Sequence, residues 1–134
     1  MYPNSHPLLK LSYYKNCLNY IINKTNYDKY DILYFCEEKD NNLVLKKIDE
    51  LKNDFKNLNF IKVNDLYEDW EQMLIMSLCK HNIIANSSFS WWGAYFNVDN
   101  EDNNIICYPN IWFGPKMQNH NLSDLFPPHF TMIN

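Results

Sequence analysis

Apolar residues along the chain follow two patterns, a spacing of about 3.6 residues and short uninterrupted runs. Leu11, Tyr14, Leu18, Ile21 and Ile22 sit at helical spacing between Leu11 and Lys24. Asp31–Phe35 is an apolar run of strand length that ends in the polar stretch Cys36–Asn42. From Leu43 to Phe55 the helical pattern returns (Leu43, Leu45, Ile48, Leu51, Phe55), with charges on the other face. Phe60–Val63 predicts a second strand, Trp70–Cys79 a third helix and Ile83–Ala85 a third strand. A Ser-rich turn follows at once, then a fourth helix over Ser90–Phe96 and a fourth strand over Asn104–Cys107. The tail, Tyr108–Asn134, holds most of the prolines and reads as largely irregular.

Helices alternating with short, wholly apolar strands predict an α/β fold. Its Rossmann-like parallel sheet is covered by helices on both faces. Such sheets bind ligands in the crevice at the carboxyl ends of their strands. Two loops occupy that position: Cys36–Asp40 after the first strand and Asn86–Ser90 after the third.

Composition narrows the choice of ligand. With 46% hydrophobic and 16% aromatic residues in 134, the chain has the make-up of one folded domain. The net charge is −4 with no basic block, so no nucleic-acid partner is expected. All 12 basic residues are lysines. A diphosphate would therefore be held by backbone, hydroxyl and Lys groups, or by Arg supplied from elsewhere. Gly93 and Gly114 are the 2 glycines, which leaves no Gly-rich phosphate loop. Cys17, Cys36, Cys79 and Cys107 show neither disulfide-framework nor zinc spacing and read as reduced core thiols. There is no apolar run of membrane-spanning length and no signal peptide, which predicts a cytoplasmic location.

Asn86–Ser90 leads from a buried strand into a helix, whose first-turn N–H groups and partial positive charge suit a phosphate. Ser87, Ser88 and Ser90 add hydroxyls there, although a Ser at this place is also a preferred N-cap. Trp91-Trp92 reads first as core and second as a stacking surface for a sugar or base. Glu37-Glu38 lies at a strand end, where a carboxylate can accept hydrogen bonds from a ribose or a guanine. Asp69 and Glu71 open the third helix, a place its dipole favours for carboxylates, and His81 reads as a partner for the same helix's carboxyl end. No Ser-His-Asp order, catalytic carboxylate pair or metal-ligand cluster emerges.

The ungapped stretch Met73–Asn97, with Asn86-Ser87-Ser88-Phe89-Ser90-Trp91-Trp92-Gly93-Ala94 at its centre, resembles the signature segment of the α-1,2-fucosyltransferases of glycosyltransferase family 11. Looser agreement extends over most of the chain, through His6–Tyr14, Tyr34–Glu38 and Tyr108–Phe113. The resemblance implies inverting, metal-independent transfer of fucose from GDP-fucose to a galactose 2-hydroxyl of a glycan acceptor, on a GT-B-like fold. It implies donor binding by Asn86, Ser87, Ser88, Phe89, Ser90, Glu37, Glu38 and Gln72. Peripheral membrane association of the full enzyme is a further expectation. Two departures stand out. The family's His-x-Arg-Arg-x-Asp motif is not in this sequence, and Gln72 stands where family members commonly have Asp. The chain is accordingly read as a single donor-binding domain, residues 1–134, lacking the N-terminal part of the full enzyme and with no assignable catalytic residue. The alternatives are a catalytically inactive nucleotide-sugar-binding module and a GT-B enzyme using another nucleotide sugar.

Overall fold

A computed structural model describes residues 9–36, 40–85, 87–97, 104–110 and 126–134, with Ser88 described in its backbone alone. The elements run α1 (Leu11–Thr25), β1 (Asp31–Tyr34), α2 (Asn41–Asp54), β2 (Asn59–Lys62), α3 (Asp69–Ser77), β3 (Asn82–Ile83), α4 (Ser88–Tyr95), β4 (Ile106–Pro109) and β5 (Thr131–Ile133). Among the described residues every pairing is parallel: β1 with β2, β3 with β4, and β4 with β5. The alternation of helix and strand read from the sequence is therefore present, with element ends displaced by one or two residues.

The expectation of an irregular tail is corrected in part. Residues 111–125 lie outside the described residues, but Thr131–Ile133 forms β5, with Cys107 opposite Thr131 and Pro109 opposite Ile133. Three residues are too few to show a period, and nearby prolines obscure the run. Pro109 lacks an N–H and is buried at the end of β4, a position where no further ladder bond is required of it.

Side chains of β4 divide the helices between two faces. Ile105, just before the strand, and Cys107 point to the side of Tyr13, Cys17 and Ile21 on α1. Ile106 and Tyr108 point the opposite way, to the side of Ala94 and Trp91 on α4. A third cluster joins Leu18 of α1 to Ile48 and Leu51 of α2 and to Leu58, placing α2 on the same face as α1. α3 packs on α4, and Gly93 sets their separation, since a Cβ at Gly93 would run into the Met76 side chain. The result is two helices on each face of parallel strands.

Buried amides hold the amino-terminal side of this assembly. Asn97 Nδ2 donates to Asn82 Oδ1 at 2.5 Å and to the Cys79 carbonyl at 2.8 Å, and Asn82 Nδ2 donates to the Met76 carbonyl at 2.9 Å. The ends of α3 and α4 and the start of β3 are thereby joined by groups shielded from water, where a lost partner is costly. His81 belongs to this region too. Its Nδ1 accepts the Ile105 N–H at 3.0 Å, and its ring meets Tyr30 edge-on at 5.6 Å. It therefore ties the approach to β3 to the approach to β4.

All four cysteines are free thiols, Cys17 and Cys107 fully buried. Among the described residues no helix is long and apolar enough to cross a membrane.

Candidate donor site at the carboxyl ends of β1 and β3

The turn after β3 is built by its serines. Ser87 has extended backbone angles (φ −137°, ψ 149°) and caps α4, its Oγ accepting the Ser90 N–H at 3.2 Å. The Ser87 and Ser90 hydroxyls lie 2.9 Å apart, and Ser90 Oγ reaches the Ala85 carbonyl at 2.8 Å and the Ser87 carbonyl at 3.1 Å. Ser90 is buried, and these contacts engage its hydroxyl within the turn. Capping is thus the observed role of Ser87. In a helix whose third N–H is taken by the cap, the N–H groups of Ser88 and Phe89 at the first two positions remain directed outward along the axis.

A cavity of about 320 Å³ lies against this turn, walled by Ser87, Phe89 and Ser90 on one side and by Tyr34 and Phe35 at the end of β1 on another. Tyr14 of α1 and Lys47 of α2 also line it. Among the described lining residues Lys47 carries the only cationic side chain, and it is only partly exposed. Tyr14's hydroxyl is pushed up to about 12, first by burial and then by the neighbouring Cys17 thiol. It is therefore a protonated donor throughout the neutral range.

Of the residues predicted for a donor, Ser87, Phe89 and Ser90 come together here. Gln72 does not line the cavity; its Nε2 donates to the Tyr67 carbonyl at 2.9 Å, within the segment that enters α3. Glu37, Glu38 and Asn86 lie outside the described residues, as does the side chain of Ser88. The sequence reading did not single out Lys47, Tyr14, Tyr34 or Phe35. Lys47 had a legible signal: it follows Val44 by three and precedes Leu51 by four, so a charge interrupts the apolar stripe of α2.

The paired tryptophans differ in their surroundings. Trp91 packs against the core around Ile84 and Ala94 and stacks on Tyr95 at 5.0 Å. Trp92 is 43% exposed and stacks on Phe96 at 5.4 Å. The core reading therefore suits Trp91, and neither ring lines the cavity beside Ser87.

A wider groove of about 720 Å³ opens at the opposite end of the strands, between Tyr20, Lys24, Tyr27, Lys80, His81 and Thr131. Its size does not make it the better donor site. It lies on the amino side of the parallel strands, away from the α4 amino terminus that offers converging N–H groups.

Comparison with known proteins identifies the family of the chain. The family model for glycosyl transferase family 11 matches residues 12–121. The chain is 32% identical over 111 residues to the O-antigen biosynthesis glycosyltransferase WbnK of Escherichia coli, covering 81% of this chain and 32% of that protein. It is 33% identical over 108 residues to an alpha-1,2-colitosyltransferase of Escherichia coli, covering 81% of this chain and 34% of that one. The chain thus spans about a third of the length of the curated relatives it matches. No solved structure matches it significantly. A family model covering most of the chain, with two relatives of the same kind, establishes that this chain belongs to glycosyltransferase family 11.

Proposed function

We propose that this chain is the donor-binding part of an inverting α-1,2-glycosyltransferase. In this reading it transfers fucose from GDP-fucose to a galactose 2-hydroxyl of a glycan, without a metal ion. The observation that carries the proposal is the cavity at the carboxyl ends of β1 and β3, where the capped amino terminus of α4 faces Lys47 across an apolar floor. A nucleoside diphosphate sugar needs such a place. Its phosphates take the first-turn N–H groups of Ser88 and Phe89, while Lys47 balances charge, and both interactions strengthen as the diphosphate leaves with its bonding electrons. Tyr14 remains a neutral hydrogen-bond donor to the sugar or phosphate oxygens.

The chain has no Arg. Full neutralisation of a leaving diphosphate, and the base that accepts the acceptor proton, are therefore assigned to parts of a longer enzyme. Peripheral membrane association and a cytoplasmic location belong to the proposal for that enzyme. One relative's name specifies colitosyl transfer, so the sugar is the least constrained element of the proposal.

Calorimetry with GDP, UDP, ADP and GDP-fucose tests it. Tightest binding of the guanosine ligands is expected. Preference for UDP or ADP would assign another nucleotide sugar, a reading favoured by Gln72 being bonded to Tyr67 and absent from the cavity wall. Binding without turnover, even within a longer chain, would favour an inactive binding module.

A further inference from the structure

The two helix layers differ in what they turn outward. On the α1 and α2 side, Lys15 meets Asp54 at 2.6 Å and Glu50 at 3.9 Å, the ordinary finish of a helix face in water. α4 carries no charged residue, and α3 carries none after Glu71.

The buried positions of α3 and α4 fix which side of each helix is outermost. Residues two apart on a helix lie on nearly opposite sides. Met76 of α3 lines the cavities between the strands, so Leu74 and Leu78 point away from them. Ala94 of α4 lies in the core, so Trp92 and Phe96 point outward as well. Trp70 precedes Leu74 by four residues and extends the α3 stripe. All five side chains are exposed, Trp70 by 63% and Leu78 by 61%. Gly93 of α4 lies against Met76 of α3, and the two helices pack side by side with their stripes on one surface. Trp92 stacks on Phe96 at 5.4 Å and meets Tyr95 edge-on at 5.7 Å, so the α4 stripe is a preformed aromatic block.

Area and charge select what covers this surface. Taking about 200 Å² for a whole large side chain, these five and Tyr95 together expose roughly 600 Å². The largest patch on a monomer is about 300–600 Å², whereas a stable dimer uses about 800 Å² per partner, rim included. An anionic bilayer fits poorly, since Glu68, Asp69 and Glu71 crowd the entry of α3. A second copy fits well. Asp69 precedes the α3 stripe, Lys80 follows it, and Leu74 lies midway between the two. A two-fold axis at Leu74 lays two α3 helices antiparallel. Trp70 of one copy then meets Leu78 of the other, Leu74 meets its own equivalent, and Asp69 lies opposite Lys80.

We propose that the outer face of α3 and α4 is a homodimer interface, with α3 packed antiparallel to its symmetry mate about Leu74. None of the six side chains lines the donor cavity, so the interface is independent of which sugar nucleotide is bound.

Sedimentation equilibrium of the 134-residue chain tests the proposal. A monomer–dimer equilibrium is expected between about 1 and 100 µM. Leu74→Glu sets two carboxylates against each other at the axis and is expected to weaken the dimer at least about thirtyfold. Because Leu74 is exposed, urea unfolding of the dilute monomer should stay unchanged. Asp69→Lys and Lys80→Glu are each expected to weaken the dimer about fivefold, and the two together to restore it. A monomer at the highest concentration would overturn the proposal, as would a dimer indifferent to Leu74→Glu. A charge exchange that fails to restore the dimer would overturn the antiparallel arrangement. Binding of a persistent monomer to phosphatidylglycerol vesicles would also overturn the proposal and give the face to lipid.

Discussion

The hydroxyl of Tyr13, on α1, donates to the carbonyl of Ile84 at 2.6 Å and lies 3.3 Å from that of Cys107. A helix early in the chain is thereby fixed to the backbone just ahead of the serine turn. Tyr13→Phe keeps the ring but leaves a buried carbonyl without its closest donor, and is expected to cost about 1–3 kcal/mol. Urea unfolding of the two proteins measures this. Because the turn sits three residues beyond Ile84, nucleotide affinity should fall as well, which separates this variant from a distant core change.

Gly93 of α4 lies against the Met76 side chain of α3. Gly93→Ala places a methyl group against the Met76 thioether, and a destabilisation of about 1–3 kcal/mol is expected from overpacking. Met side chains are flexible, so Met76→Ala in the same protein should recover part of the loss. A double-mutant cycle by thermal or urea unfolding reads the coupling, and strict additivity would show that the two residues do not touch.

At the candidate site, Ser87→Ala and Lys47→Ala should separate folding from binding. Removing the Ser87 cap is expected to lower stability by about 0.5–2 kcal/mol. Lys47→Ala should change stability little but weaken GDP binding about tenfold, with a smaller salt dependence than the parent protein. Calorimetry at two ionic strengths, beside urea unfolding, measures both.

Alkaline pH should loosen the α1 face. Burial raises the folded-state pKa of Tyr13 and Tyr14 above the ordinary value of 10.0, that of Tyr14 to about 12. The unfolded chain loses these protons first. The stabilisation is therefore complete below pH 10 and declines as pH rises through the interval up to about 12. Unfolding free energies measured across this range should fall, and Tyr14→Phe should flatten the decline.

The sequence disclosed the elements better than their assembly. Leu18, Ile21, Ile48 and Leu51 announced their helices because burial on one face demands helical spacing, and the clusters contain them. The turn after β3 was legible for a similar reason: Ser87 is the kind of residue that caps a helix. β5 was not legible, since its β4 partner lies far away in sequence and three residues carry no pattern. The division of the strands into two ladders was equally hidden, because a strand's apolar run is the same whether its neighbour is present or not. Lys47 left an indirect trace, a charge within the apolar stripe of α2. Only packing shows that α2 turns it towards the cavity.

Trp91 stands next to Ser90, its indole stacked on Tyr95 at 5.0 Å and set edge-on to Trp92 at 4.8 Å. An indole so placed emits according to the packing and polarity of its surroundings. Any ligand that tightens or shifts the α4 amino terminus should therefore alter the intrinsic fluorescence of the unlabelled protein, giving the serine turn a built-in optical signal for titration.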